Sequence, residues 1–180
     1  MTHILGSKRD FLDWNDEDAM EFLEIIKDIA DHPEFRKLEQ YTHHLHTNRY
    51  QHCLNVSWYT YLWAKKLGLN YKEAARGALL HDFFLYDYRS NPPIKGNHNE
   101  IHPIAAFTNA EKYFEVTDIM RDCILRHMWP NTSASPETRE GYLVSVADKY
   151  CAGIEVGSKS YYAIYPVLKQ IYEMIEEGLN

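Results

Sequence analysis

The chain predicts an all-α fold. Apolar residues recur at helical spacing in one segment after another, with capping residues, glycines and prolines where such helices would begin and end. No alternating apolar and polar run bounded by turn signals competes for a strand. The 180 residues fit one domain over 1–180, a size that buries roughly 70% of the surface of the unfolded chain. With 14 Tyr, 7 Phe and 4 Trp, the core is expected to be rich in rings.

Residues 16 to 31 read as the first helix, with Met20, Leu23, Ile26 and Ala30 on one stripe and Pro33 just past its end. A shorter helix fits 33 to 41. The polar connection YTHHLHTNRYQH leads into a strong helix from about 49 to 67, which Gly68 ends. His52, Val56, Tyr59 and Trp63 share one stripe of that helix, so His52 is expected to face the core. Asn70 and Glu73 resemble a capping box for the next helix, whose Ala74, Ala75, Ala78 and Leu79 lead into His81-Asp82. Gly77 would let this helix come close to a neighbour.

Residues 87 to 99, DYRSNPPIKGNHN, are turn-rich and polar, the character of a lid. His102-Pro103 opens another helix with proline at its first position, and Ala106, Ala110, Tyr113 and Phe114 continue the apolar face. After a break near Val116-Thr117, residues 118 to 128 place Met120, Cys123, Ile124 and His127 on one stripe, and Trp129-Pro130 ends it. Ser135 as cap and Pro136 in the first turn start a helix with Val144, Ala147, Asp148 and Cys151 inward. A last aromatic helix is expected from about Lys159 to Glu177.

Composition excludes some classes of function. A formal charge of −7 and the lack of any Lys/Arg run argue against a nucleic-acid polymer as partner. No apolar run approaches the ~20 residues of a membrane span. Three widely separated cysteines, Cys53, Cys123 and Cys151, with no CxxC pair, read as reduced thiols of a cytoplasmic protein.

The chemistry-bearing pattern is six residues: the adjacent pair His81-Asp82 at the end of one apolar helical segment, and His52, His102, His127 and Asp148, each set in its own, with about one helix and a connector between successive segments. Any one such histidine is more often structural. The set is different, because Asp82 and Asp148 stand where apolar residues are expected, and a buried carboxylate is costly unless paired or metal-bound. Mixed imidazole and carboxylate donors suit Fe, Mn or Co, with Mg, Ni or Zn possible. If Asp82 bridges, one ion would take His52, His81, Asp82 and Asp148, and a second Asp82, His102 and His127. Only a packed bundle can converge side chains from so many helices. His43, His44 and His46 lie in a polar connection without a carboxylate at ligand spacing, and are left out of this site.

The segments RYQHCLNV, ALLHD and SVADKY, with IHP at 102 and LRHMWP at 127, resemble the HD-domain superfamily of all-α metal enzymes, over a core of about 49–151. The extra histidines resemble its six-ligand, two-metal branch. The resemblance implies a metal-dependent phosphohydrolase acting on a small phosphate ester or nucleotide, an anionic small molecule. A smaller branch, similar to myo-inositol oxygenase, uses the same donors for a mixed-valent di-iron centre, and a third alternative is a non-catalytic module stapled by metals. Two-metal members often carry a lysine shortly after the His-Asp pair, whereas this chain has Phe83-Phe84-Leu85-Tyr86, an aromatic wall or ordinary core. No GYP-type signature follows the pair, against cyclic dinucleotide hydrolysis.

Further candidates flank the six. Asp87 would protonate a leaving group if the chain turns back toward the metals, giving catalytic candidates Asp82, Asp87 and Lys149. Arg89, Lys95 and His98 in the lid, and Arg126 beside His127, offer positive charge to a phosphate, with Arg89, Lys95 and Arg126 the substrate-binding candidates.

Overall fold

The computed structural model describes residues 16–43, 47–89 and 96–157. They form α1 (Glu17–Ala30), α2 (Pro33–Arg36) with a 3-10 turn (Lys37–Gln40), α3 (Arg49–Lys66), α4 (Tyr71–Leu80), α5 (His98–Tyr113) and α6 (Asp118–Arg126). A seventh helix, α7, spans 139–157. No strand occurs among the described residues, and the fold is all-α. The expected helix over 159–177 lies outside them.

Helix boundaries follow local chemistry where the cap is adjacent in sequence. Asp16 accepts from the Asp18 and Ala19 N–H groups to start α1, and Thr117 accepts from Met120 N–H to start α6. Asn70 accepts from the Glu73 N–H, and the Glu73 carboxylate answers by accepting from the Asn70 side-chain amide. This modifies the capping box, since the Asn70 backbone N–H is taken by Glu140. Gly68, at φ +66°, supplies the left-handed residue that ends α3.

Two starts differ from the sequence expectation. Helix α5 begins at His98, capped by Asn97, and Pro103 lies inside it, so His102 sits one turn into a helix instead of at its mouth. Helix α7 begins after Thr138, not at Ser135-Pro136. There the buried Asp122 carboxylate accepts from the Glu137 and Thr138 N–H groups and the Thr138 hydroxyl, whose oxygen accepts from Gly141 N–H. A cap borrowed from α6 thus overrides the local one. A side chain at Gly141 would collide with Asp122 Oδ2, so the glycine is part of this joint.

The core lies where α3 and α4 meet α1 and α6. Phe22 of α1 packs edge-on against Trp58 of α3, 5.1 Å between centroids, and Trp58 stacks on Tyr61 at 5.8 Å. The inward stripe of α1 is Ala19, Phe22, Ile26, Ile29 and Ala30, with Met20 and Leu23 at its half-buried flanks. Helix α3 is buried nearly all round from Arg49 to Tyr61, beyond the single predicted stripe, because it is covered on several sides.

Gly77 marks the closest approach of α4 to α6: an added Cβ would stand 2.8 Å from Cys123 Cβ and 3.1 Å from Met120 Cα. Gly77→Ala is expected to lose about 1 kcal/mol of stability, as an overpacking cost of about 1–3 kcal/mol outweighs the about 1 kcal/mol alanine gains in a helix. Urea denaturation checks it, and a gain would contradict the close approach.

On the outer side, Glu21 accepts from Lys65, Tyr61 and Tyr71, and those bonds hold its carboxyl down at about 2. A depressed carboxylate adds stability above its ordinary pKa and loses it as the pH falls toward the folded value. The stability difference between the protein and Glu21→Gln is therefore expected to be full at pH 7 and to shrink below about pH 4.5. Thermal melts across that range read it, and a pH-independent difference would refute it.

Candidate metal centre

Five elements deliver the six residues to one place. His52 comes from α3, His81 and Asp82 from the turn that ends α4, His102 from α5, His127 from the cap of α6, and Asp148 from α7. All four imidazoles are buried, at 4% exposure or less, and Asp82 at 5%.

The orientation of each imidazole follows from what its Nδ1 meets. His81 Nδ1 donates to the Ala78 carbonyl at 2.6 Å, His102 Nδ1 to His98 O at 2.8 Å, and His127 Nδ1 to Ile124 O at 2.8 Å. With the proton so placed, the three Nε2 atoms present lone pairs. His52 Nδ1 lies 3.0 Å from Glu155 Oε2, turning its Nε2 toward Asp148 Oδ1 at 3.1 Å.

The lone pairs converge. His81 Nε2 is buried without a hydrogen-bond partner. His102 Nε2 and His127 Nε2 face each other at 2.9 Å, two acceptors with no proton between them in the tautomers their Nδ1 bonds select. Asp82 divides its oxygens: Oδ1 lies 3.2 Å from His102 Nε2 and 3.7 Å from His127 Nε2, while Oδ2 faces His81 Nε2 at 3.9 Å. Donor atoms of His52, His81 and Asp148, and of His81, Asp82 and His127, lie within 4.8 Å of one another in each group. Orphaned and mutually repelling acceptors around a carboxylate fit cations, and the donor types fit divalent transition metals.

The electrostatics agree. Burial opposes the charge on Asp82, yet His81, His102 and His127 hold its carboxyl well below the usual range. Asp148 is likewise held low against burial by its bond to His52 and by His81. Burial, with His81 and His102, pushes His127 down to about 3, and burial lowers His81. His52 goes the other way: burial disfavours its charge, but Glu155 and Asp148 raise it to about 10.

Two residues enter the site that the sequence did not assign to it. His43, from the polar connection, packs tilted against His52 with ring centroids 4.1 Å apart and brings Nε2 to 4.0 Å from Asp82 Oδ2. Glu155 is 2% exposed and also accepts from Asn55 Nδ2 at 2.8 Å. Its sequence signal was its place two turns beyond Asp148, on the face that carries Cys151.

Beside the donors opens a cavity of about 230 Å³, lined among others by Phe84, Tyr88, His98, Asn131 and Lys149. Lys149 Nζ donates to His127 O at 3.0 Å and Ser145 O at 3.2 Å, and lies 3.7 Å from Asp148 Oδ2. Burial lowers its pKa, countered by Asp148.

The other flanking candidates lie elsewhere. Asp87 is exposed, and its carboxylate accepts from Arg89 N–H in a tight turn, away from the cavity lining. Arg89 is exposed too and donates to the Tyr88 hydroxyl. Arg126 is held by Glu137 at 2.6 Å and by Ser135 O, so it serves the joint at the start of α7. Lys95 and the rest of 90–95 in the expected lid lie outside the described residues, whereas His98 stacks on Tyr88 at 4.2 Å in the cavity wall.

The run after the His-Asp pair divides between core and wall: Phe83 packs on Phe35 at 5.3 Å, while Phe84 lines the cavity. Buried Arg49 fixes this run, with its guanidinium 3.5 Å from the Phe84 ring centroid and donating to the Phe84 and Tyr86 carbonyls.

Residues 49–153 match the HD domain family. The chain belongs to the HD-domain family. That family consists mostly of metal-dependent hydrolases. No curated protein and no solved structure matches the chain. Among the described residues of this HD domain, no helix is long and apolar enough to cross a membrane.

Arg49→Met is expected to cost about 2–3 kcal/mol, since it strands two carbonyls and removes a desolvated cation–π contact. Chemical denaturation measures the loss, and an unchanged midpoint would show that the run after Asp82 holds itself.

Proposed function

We propose that this HD domain is a dinuclear metal-dependent phosphohydrolase acting on a small phosphate ester or nucleotide. The reading is carried by one observation: Asp82 splits its two oxygens between two groups of imidazole donors at the edge of a small cavity. His52, His81, Asp82 and Asp148 would hold one divalent ion and Asp82, His102 and His127 the other, with Fe, Mn or Co suited to the donors. When bound, such a pair lowers the pKa of water and neutralises charge on a phosphate.

The protein's own part is orientation. Carbonyls of Ala78, His98 and Ile124 keep three Nε2 atoms aimed inward without cost at the moment of reaction. Lys149, fixed by the His127 and Ser145 carbonyls, presents an ammonium to phosphate oxygens at the cavity. Phe84, Tyr88 and His98 form one ring-lined wall of the cavity. With Lys149 the one Lys or Arg lining the cavity among the described residues, a small anionic substrate fits better than a polymer. Three buried free thiols support a cytoplasmic setting.

The test is anaerobic purification, elemental analysis and parallel assays of phosphate release and O₂ consumption. Oxygen-insensitive phosphate release with Mn or Co is the expected result, whereas iron-dependent O₂ turnover would replace hydrolysis with oxygenation. Asp82→Ala should lose both ions, and His102→Ala or His127→Ala chiefly one. Lys149→Met should keep both ions and lower kcat/KM by about 100-fold, the scale of one lost charged contact to a substrate phosphate. Equal metal loss in the three ligand variants would reject the assignment.

A further inference from the structure

The four inward imidazoles are not supported alike. His81, His102 and His127 rest their Nδ1 atoms on neutral backbone carbonyls. His52 alone among them rests on a carboxylate, Glu155, with Nδ1 at 3.0 and 3.1 Å from its two oxygens. That carboxylate is held in turn: Asn55 Nδ2 donates to Glu155 Oε1 at 2.8 Å, and Gln51 Nε2 donates to Asn55 Oδ1 at 2.9 Å. Gln51, Asn55 and His52 lie on α3, and Glu155 on α7, so the network ties together the two helices that bring His52 and Asp148 into contact.

A carboxylate behind an imidazole fixes its tautomer and makes the opposite nitrogen a stronger donor. It also adds negative charge near one group of donors and not the other. The group His52, His81, Asp82 and Asp148 already holds two carboxylates, against the single Asp82 shared with His102 and His127. Glu155 enlarges that imbalance from a position that cannot reach a cation itself, because the His52 ring stands between.

We propose that Glu155 is a positioning residue that makes the His52 side the tighter of the two cation positions, so that the ions load in a fixed order, the His52 side first. This rests on the two-cation reading above. The weaker position, beside His102 and His127, is then the exchangeable one, and it borders the cavity directly, since both histidines line it.

Calorimetric titration of the metal-stripped protein with Mn²⁺ tests this. The expected trace has two resolved steps. Glu155→Gln, close in shape, should weaken the tighter step by about 10- to 100-fold and leave the weaker step unchanged, and Glu155→Asp should recover part of the loss. Far-UV circular dichroism and a thermal melt report whether each variant folds. If Glu155→Gln does not, Asn55→Ala, which leaves the carboxylate but removes one of its donors, should weaken the tighter step to a smaller degree. Two Mn²⁺ bound by Glu155→Gln with unaltered affinities, or equal weakening of both steps, would overturn the positioning role and leave the two-cation reading intact. No Mn²⁺ bound by the unaltered protein would overturn both.

Discussion

A carboxylate buried among imidazoles is the constraint on which this molecule is arranged. Asp82 is removed from water by helices on several sides, and an ionised carboxylate so placed is tolerable only if positive or polarisable groups surround it. His81, His102 and His127 ring it with Nε2 atoms from the end of α4, the body of α5 and the cap of α6, an arrangement that suits a cation between the carboxylate and the rings. The bundle therefore cannot relax its helices independently: moving any one withdraws a donor from the centre. Backbone carbonyls left over at helix ends and turns supply the hydrogen bonds that lock the rings, so the same geometry that terminates α4 and α6 also orients His81 and His127.

The other half of the centre depends on a joint well away from it. Asp148 and Glu155 ride on α7, and α7 starts where Asp122 of α6 gathers two backbone N–H groups and a hydroxyl. Arg126 adds its charge to this joint by pairing with Glu137. Lys149 then pins α7 to the carbonyl of His127, the C-cap of α6. The helix is thus held at its start by Asp122 and at mid-length by Lys149, and a carboxylate with no place in the cavity helps decide where Asp148 lies.

How far the sequence disclosed this follows from where each determinant sits along the chain. The ends of α3, α4 and α6 were legible because Gly68, Asn70 and Thr117 act on residues next to them. The six inward donors were legible because each polar residue interrupts an apolar stripe. The start of α7 was not, since its cap comes from Asp122, sixteen positions before Thr138 and on another helix. Arg126, adjacent to His127, points elsewhere because neighbours on a helix diverge by about 100°, and Arg89 lies in an exposed turn where it donates to the Tyr88 hydroxyl. His43 looked unpartnered in its polar connection, and only folding brings it against His52. Glu155 carried a weak signal, an acid on the inward face of α7, but its partner lies 103 positions earlier.

Gly77 gives the centre its gauge. Helix α4 can lie against α6 because that position lacks a side chain, and His81 leaves α4 four residues later while His127 leaves α6 four residues after Cys123. The two rings meet with centroids 4.8 Å apart, a separation inherited from the contact one turn upstream. A single absent methyl group therefore calibrates the span between the two halves of the donor set, and a bulkier residue there would widen it without touching any donor.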